Sequence, residues 1–233
     1  MKRAKLICHM STTIDGEIAW HFDSNENEDF KKSLEIYDSM IDPYSRVMCN
    51  GRATLQDYSE DEVVISKYAG VPVKYEDKII DEGGSIWASV DRYGKLRYKS
   101  RYRNYAGHDW LVLEVLTKKV SPEYLAYLDD MNIPYIFCGE DDFDPELFLT
   151  KIKKYYNSDT VMLGGGAELN AAFMRKDMVD EMSIIICPGF DGRRKNLTMV
   201  GSDNYAGFPK YFKLAEVKDM GNSTVFLRYV RRD

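Results

Sequence analysis

The sequence predicts an α/β fold: a mixed, mainly parallel sheet flanked by helices, with a C-terminal antiparallel hairpin, in one domain over residues 1–233. Three observations carry that expectation. Short runs rich in Val, Ile, Leu and Tyr alternate with stretches of helical periodicity, the order that builds parallel sheets from strand–helix–strand units. The run Val161 to Asn170, VMLGGGAELN, passes from an apolar strand pattern through three consecutive glycines into a helix. Two alternating runs, around Tyr211 to Val217 and Thr224 to Val230, close the chain as an antiparallel pair.

The elements follow in order. Lys5 to Met10 reads as a strand, and Glu28 to Ile41 as a helix with Phe30, Leu34, Tyr37, Met40 and Ile41 along one side. Arg46 to Cys49 is a strand running into Asn50-Gly51 and a short helix from Arg52. Strands are predicted at Ile86 to Val90, before the turn Asp91-Arg92-Tyr93-Gly94, and at Trp110 to Leu116. Ser121-Pro122 opens a helix with a cap residue and a proline at the first helical position, and Asp144-Pro145-Glu146 repeats the device. Between them lies the strand Pro134 to Cys138. Thr160 to Leu163, the helix Ala167 to Arg175 and the strand Val179 to Cys187 precede the terminal pair. Residues 58–84 are charged and weakly periodic, and predict no regular element.

Composition narrows the class. At 233 residues, 44% hydrophobic and 30% charged, the chain has the make-up of a globular protein with a sizeable core. Its formal charge of −6 argues against broad affinity for nucleic acid or anionic membrane. No apolar run approaches a membrane span, and the one after MKRAK is too short for a signal peptide, so a cytoplasmic location is expected. Cys8, Cys49, Cys138 and Cys187 each close a short apolar run and form no CxxC pair, which predicts free core thiols rather than a disulfide framework. With three histidines in all, no metal site is expected.

The glycine turn carries the chemistry. Gly164, Gly165 and Gly166 let the backbone take positive φ and approach a ligand closely, and they leave the first N–H groups of the next helix free for an anion. A tight turn without a ligand is the competing reading. Ligands in open α/β sheets sit at the carboxyl ends of strands. Three groups fall there: Ser11 to Gly16, Gly51 to Thr54, and Gly164 to Ala167.

Taken in order, these segments resemble the pyrimidine-reductase family of riboflavin biosynthesis, which has the dihydrofolate-reductase-like fold. Met10 to Gly16, MSTTIDG, is similar to that family's strand followed by Ser-x-Asp-Gly, with Thr13 in the serine slot. Asn50 to Thr54, NGRAT, is similar to its Gly-Arg-x-Thr turn. Gly164 to Asn170, continuing through Met178-Val179-Asp180-Glu181 to Cys187-Pro188-Gly189, looks like its glycine turn, helix, Val-Asp-Glu, strand and proline. The resemblance implies an NADPH-dependent reductase that converts the ribosylamino side chain of a phosphorylated aminopyrimidine to the ribitylamino form. It further implies a homodimer paired near the terminal strands. Cofactor residues implied are Ser11 and Ile18 by the nicotinamide, Gly51, Arg52, Thr54 and Thr117, and Gly164, Gly165, Gly166, Ala167 and Glu168 at the pyrophosphate. Asp15, Glu17 and Gly164 are implied on the substrate side, with Asp15 the catalytic candidate. Two positions depart from the family pattern: Glu17 stands where a basic residue is common, and Gly164 where a glutamate is common.

Several residues admit two readings at this level. Asp15 either orients a substrate or bonds its own turn ahead of Gly16. Arg52 either pairs with a cofactor phosphate or is a solvated first-turn arginine, a place where cations are disfavoured. Thr117 and Lys118 either hold the adenosine end or simply finish a strand. The segment from Arg92 to His108 interleaves cations with tyrosines, as a nucleic-acid surface would, or forms a basic hairpin on an exposed edge. Arg97, Arg101 or Arg103, or the Gly192-Arg193-Arg194-Lys195 loop, are candidates for a substrate-phosphate clamp. Glu181 reads as a structural acid.

Overall fold

The structure, a computed structural model, describes residues 2–56, 59, 63–193, 197–203 and 206–232, apart from the side chain of residue 42. Arg194 and Lys195 of the basic loop lie outside the described residues. The chain divides into two compact units, one of Met1–Ala4 with Arg46–Asp159 and one of Lys5–Ser45 with Thr160–Asp233.

In the first unit, β2 (Val47–Gly51), β3 (Ile86–Val90) and β5 (His108–Leu116) are parallel neighbours in that order. Their nearly continuous burial explains why they read as unbroken apolar runs, as strands covered on both faces do. The far edge of β5 is shared. β4 (Tyr102–Tyr105) pairs antiparallel with its first half, and β6 (Tyr135–Phe137) pairs parallel with its second. The basic segment therefore is a hairpin on an edge. Its cations are engaged: Arg92 with Asp142, Arg101 with Glu82, and Arg103 over the Trp87 ring.

The helices α4 (Pro122–Asp130) and α5 (Pro145–Tyr156) start where the cap–proline pairs place them. Ser121 Oγ accepts the Tyr124 N–H, and Asp144 accepts those of Glu146 and Leu147. A four-residue helix, α3 (Arg52–Leu55), follows β2. The weakly patterned stretch before β3 is tied down by single residues. Asp77 accepts the Phe137 N–H at 2.8 Å and pairs with the half-buried Lys151 ammonium at 2.6 Å.

The second unit has the strand order β7 (Thr160–Leu163), β1 (Lys5–Thr12), β8 (Glu181–Ile186), β10 (Val225–Arg231), β9 (Phe212–Asp219). β1 runs parallel to both neighbours, and β8–β10–β9 are antiparallel. The helical pattern from Glu28 breaks at Met40 into α1 (Glu28–Ser39) and the short α2 (Ile41–Tyr44). α1 is capped by Asn27 and packs Phe30 onto Ile185, Cys187 and Phe226. Glu181 is buried with Lys5 at 2.8 Å. β8 starts two residues later than its predicted run Val179 to Cys187, where Asp180 accepts the Leu6 N–H through its side chain, and ends one residue earlier, at Ile186. All four cysteines are free and buried. The α/β class, the mainly parallel sheet and the C-terminal antiparallel hairpin are as the sequence predicts.

Candidate functional site

The carboxyl ends of three adjacent parallel strands, β7, β1 and β8, meet on one edge of the second unit. After β1 the chain makes a compact turn. Thr13 N–H donates to Glu17 O at 3.0 Å, Gly16 N–H to Thr13 O at 3.0 Å, and Glu17 N–H to Thr13 Oγ1 at 3.0 Å. Gly16 stands at φ +82°, which is why an Asp-Gly pair ends this turn.

The turn is stitched to the segment after β8. Ile14 N–H donates to Gly189 O at 2.7 Å, and Gly192 N–H to Asp15 Oδ2 at 2.9 Å. Asp15 Oδ1 accepts the Thr13 hydroxyl at 2.5 Å. That hydroxyl, and then the Gly192 amide, hold the Asp15 carboxyl below its usual range. Asp15 is thus exposed, ionised and braced from both oxygens, the state of an orienting acceptor rather than a proton donor. Of its two sequence readings, the turn is realised, but through Thr13 and Gly192.

Glu17 takes a different setting. Its backbone bridges Thr198, and its Oε2 is enclosed with no hydrogen-bond partner. Asp191, its side chain almost fully buried, pairs with Arg193 at 3.0 Å and accepts the His21 N–H at 2.8 Å. Ile14, Phe190 and Leu197 stand exposed around this edge.

After β7 come the three glycines and α6 (Ala167–Arg175). Gly165 has φ +92°, and a Cβ there would lie 3.2 Å from Met10 Cε. The Gly165–Gly166 peptide is cis. Gly166 occupies the N-cap and supplies no side-chain acceptor, so the first-turn N–H groups of α6 are left without a side-chain cap. Asn170, fully buried on the first turn, donates from Nδ2 to Met199 O at 2.7 Å while its Oδ1 has no partner. A bare helix start, a positive-φ position that disfavours any side chain, and an orphaned buried acceptor beside it suit an anionic group that also brings a donor. Ser11 and Ile18 are half-buried nearby in the chain, and Glu168 is exposed.

In the first unit, the ends of β2, β3 and β5 hold the other candidates. Arg52 Nη1 donates to Gln56 Oε1 at 2.8 Å, along its own helix, and Thr54 is exposed. Thr117 is fully buried with its hydroxyl donating to Arg92 O at 2.7 Å. Lys118 donates to Tyr75 O and lies 3.8 Å over the Phe137 ring. The adenosine role read for Thr117 and Lys118 therefore competes with contacts that already fix both side chains. Arg97 donates to Gly94 O and Leu96 O. Sequence reasoning passed over Asn170 and Asp191. The signal for the first was a polar residue on the apolar side of a helix, and for the second an acid inside a Gly-Phe-Asp-Gly turn. Among the described residues no group of His, Cys, Asp and Glu could hold a metal ion, and no helix is long and apolar enough to cross a membrane.

Of these segments, the family comparison covers the glycine turn and α6 but neither Ser11 to Gly16 nor Gly51 to Thr54. The family model described as the RibD C-terminal domain matches residues 95–226. The 2,5-diamino-6-ribosylamino-4(3H)-pyrimidinone 5′-phosphate reductase of Aquifex aeolicus is 31% identical over 107 residues, 44% of this chain and 44% of that protein. The match thus spans less than half of the curated relative. Acinetobacter baumannii RibD, in one crystal form, superposes with a TM-score of 0.63 at 16% identity, over 99% of this chain and 58% of that one. A pyrimidine reductase-like protein of Corynebacterium diphtheriae gives 0.66 at 13% identity, over 99% and 93%. At these identities the two structures share the fold.

Proposed function

Because the chain belongs to the RibD C-terminal domain family, we propose that it is an NADPH-dependent oxidoreductase of the riboflavin-biosynthesis type. Its reaction is reduction of the ribosylamino side chain of a phosphorylated aminopyrimidine to the ribitylamino form. The observation that carries this reading is the uncapped start of α6 behind Gly165, with the orphaned Asn170 Oδ1 on the same turn. When bound, NADPH supplies the hydride. The protein then has to position donor and acceptor and exclude water, with few acid–base groups of its own.

In this reading the α6 N–H groups and Gly164 to Ala167 hold the pyrophosphate, and Ser11 and Ile18 flank the nicotinamide. Arg52 is the 2′-phosphate candidate, since its guanidinium is bound within its own helix by a neutral partner. Asp15, ionised and braced, orients the substrate by accepting hydrogen bonds. Glu17, with an enclosed orphan oxygen, requires a donor from the substrate, and an unpaired phosphate beside it is disfavoured. We read the protein as a cytoplasmic homodimer of one reductase domain, paired through the β9–β10 edge, where Leu214 and Val217 are 47% and 60% exposed.

The test is direct. Purified protein with NADPH and the ribosylamino-pyrimidine phosphate should oxidise NADPH and yield the ribitylamino product. Tight NADPH binding without turnover would replace the enzyme with a non-catalytic nucleotide-binding protein, a reading favoured by the altered residues Glu17 and Gly164. Absence of NADPH binding would overturn both.

A further inference from the structure

In the middle of β5's apolar run, between Leu113 and Val115, stands Glu114, fully buried. Its Oε1 accepts the Tyr98 hydroxyl. Its Oε2, Ser89 Oγ and Tyr124 Oη are all enclosed without a partner of good hydrogen-bond geometry, Tyr124 lying beside Glu114 and Ser89 beside Tyr98. Ser89 is the register partner of Glu114 on β3, so the two side chains leave the same face of the sheet. Three orphaned oxygens within one buried cluster call for a shared explanation.

A second buried carboxyl lies close by. Asp91, directly after β3, accepts the backbone N–H groups of Lys95 and Leu96 through Oδ2. The groups facing Glu114 are Asp91 at the end of β3, Arg97 and Tyr98 from the following segment, and Tyr124 and Tyr127 from α4. On β6 the register partner is Tyr135, whose hydroxyl is turned to Asp129. Arg97 is the cation of this set, and its Nη1 is committed to two backbone carbonyls while the guanidinium lies 5.2 Å over the Tyr124 ring. Two buried acids with one committed cation do not both ionise at low cost. Asp91 has two backbone donors, whereas Glu114 accepts from a side-chain hydroxyl alone.

We propose that Glu114 is a neutral carboxylic acid in the folded protein and that its proton, held on Oε2, clasps the 91–98 segment shut against β5 and α4. A proton there makes Oε2 a donor toward the Tyr124 hydroxyl, while the Ser89 hydroxyl faces Tyr98, so each enclosed oxygen gains a neighbour of complementary role. The segment is attached at the same place. Tyr98 donates its hydroxyl to Glu114, its N–H donates to Tyr127 Oη at 2.6 Å, and its carbonyl accepts from Tyr127 at 2.8 Å. Gly94, at φ +66°, lies against the Tyr124 ring where a Cβ would collide. Burial first, and then the Asp91 charge, raise the Glu114 pKa well above the carboxyl range. A raised acid favours the closed form fully below the ordinary carboxyl pKa, and the advantage fades as pH rises toward the raised value. Ionisation relieves itself by opening the segment to water, which frees Arg92, Lys95 and Arg97.

The test is hydrogen-exchange mass spectrometry on the full chain from about pH 6 to about pH 9, corrected for intrinsic exchange, with infrared detection of the protonated carboxyl C=O stretch. Protection of residues 91–98 should fall with rising pH in the wild-type protein and stay level in Glu114→Gln, which keeps a neutral side chain of the same shape. The carboxylic-acid band should be present at neutral pH and absent from the variant. If the variant does not fold, the wild-type band alone decides, because it must persist while protection falls and fade only at the pH where that fall levels off. A wild-type protein with no such band, or a variant with unchanged pH dependence, would overturn the proposal.

Discussion

Acidification should destabilise the second unit through His9. This imidazole is 1% exposed on β1. Its Nε2 lies 3.0 Å from Tyr37 O, and since a carbonyl can only accept, Nε2 carries the hydrogen. Nδ1 is then the acceptor, 2.8 Å from the hydroxyl of Ser183, the register partner of His9 on β8. The ring also stacks on Tyr37 at 4.2 Å, which docks α1 on the sheet. Burial dominates the two hydrogen bonds and pushes the His9 pKa down to about 4. The unfolded chain, with an ordinary histidine pKa, therefore binds the proton more tightly than the native one. Stability from this site is complete above about pH 6.5, is lost as pH falls toward 4, and totals about 3 kcal/mol across that interval. Urea unfolding of wild type and His9→Asn, measured from about pH 4 to about pH 7.5, isolates the effect as the difference between the two curves. The wild-type curve should fall more steeply by roughly that amount, although the variant begins less stable for want of the stacked ring. Parallel curves would refute the neutral, doubly bonded histidine.

Arg52→Ala should weaken NADPH binding by about 1.5–3 kcal/mol and leave NADH nearly unchanged, the range for one charge-assisted hydrogen bond; equal losses in calorimetry would remove Arg52 from the 2′-phosphate. Gly165→Val should abolish NADPH binding, since φ is +92° and a branched side chain would crowd Met10, whose Cε lies 3.2 Å from the Cβ position; a folded variant of unchanged affinity would count against the cradle. Burial pushes the Cys8 thiol to about 12 and that of Cys187 to about 11, and raises Cys49 and Cys138 as well. All four should therefore resist a disulfide reagent in native protein and react after denaturation, and rapid native labelling would contradict their burial. Sedimentation at micromolar concentration should give a dimer that Val217→Lys, on exposed β9, converts to monomer; a wild-type monomer would end the pairing proposal.

What could be read from the sequence was whatever had a strong local cause. Ser121-Pro122 and Asp144-Pro145 announced their helices because cap and proline act within one turn. The strand–glycine–helix passage at residues 160–175 was legible for the same reason, and it is also the part of the site that the structure builds most completely. β4 was not read as a strand, because Tyr102 to Tyr105 is an edge with no buried face to impose a pattern. Nothing local marks Asp77 as the anchor of its segment, since its partners Phe137 and Lys151 are distant in sequence. The bracing of Asp15 by Gly192, and the burial of Glu114 against Tyr98 within an apolar run, likewise depend on neighbours that only folding supplies.

The division of the chain has a consequence for how it folds. The first unit is almost wholly one continuous stretch, Arg46–Asp159, whereas the second is assembled from the segments on either side of it. β1 is made early in synthesis, yet both of its partners, β7 and β8, begin at Thr160 or later. Its unpaired edges must wait through the synthesis of the entire intervening stretch, a long interval in which a strand can find wrong partners. Closing so long a connection slows folding more than it weakens the product, because loop entropy grows only logarithmically with length. Prior collapse of residues 46–159 would shorten that search by bringing the ends at Arg46 and Asp159 together. Collapse of the inserted stretch would then precede completion of the sheet around β1, an order that pulsed hydrogen exchange during refolding would read directly.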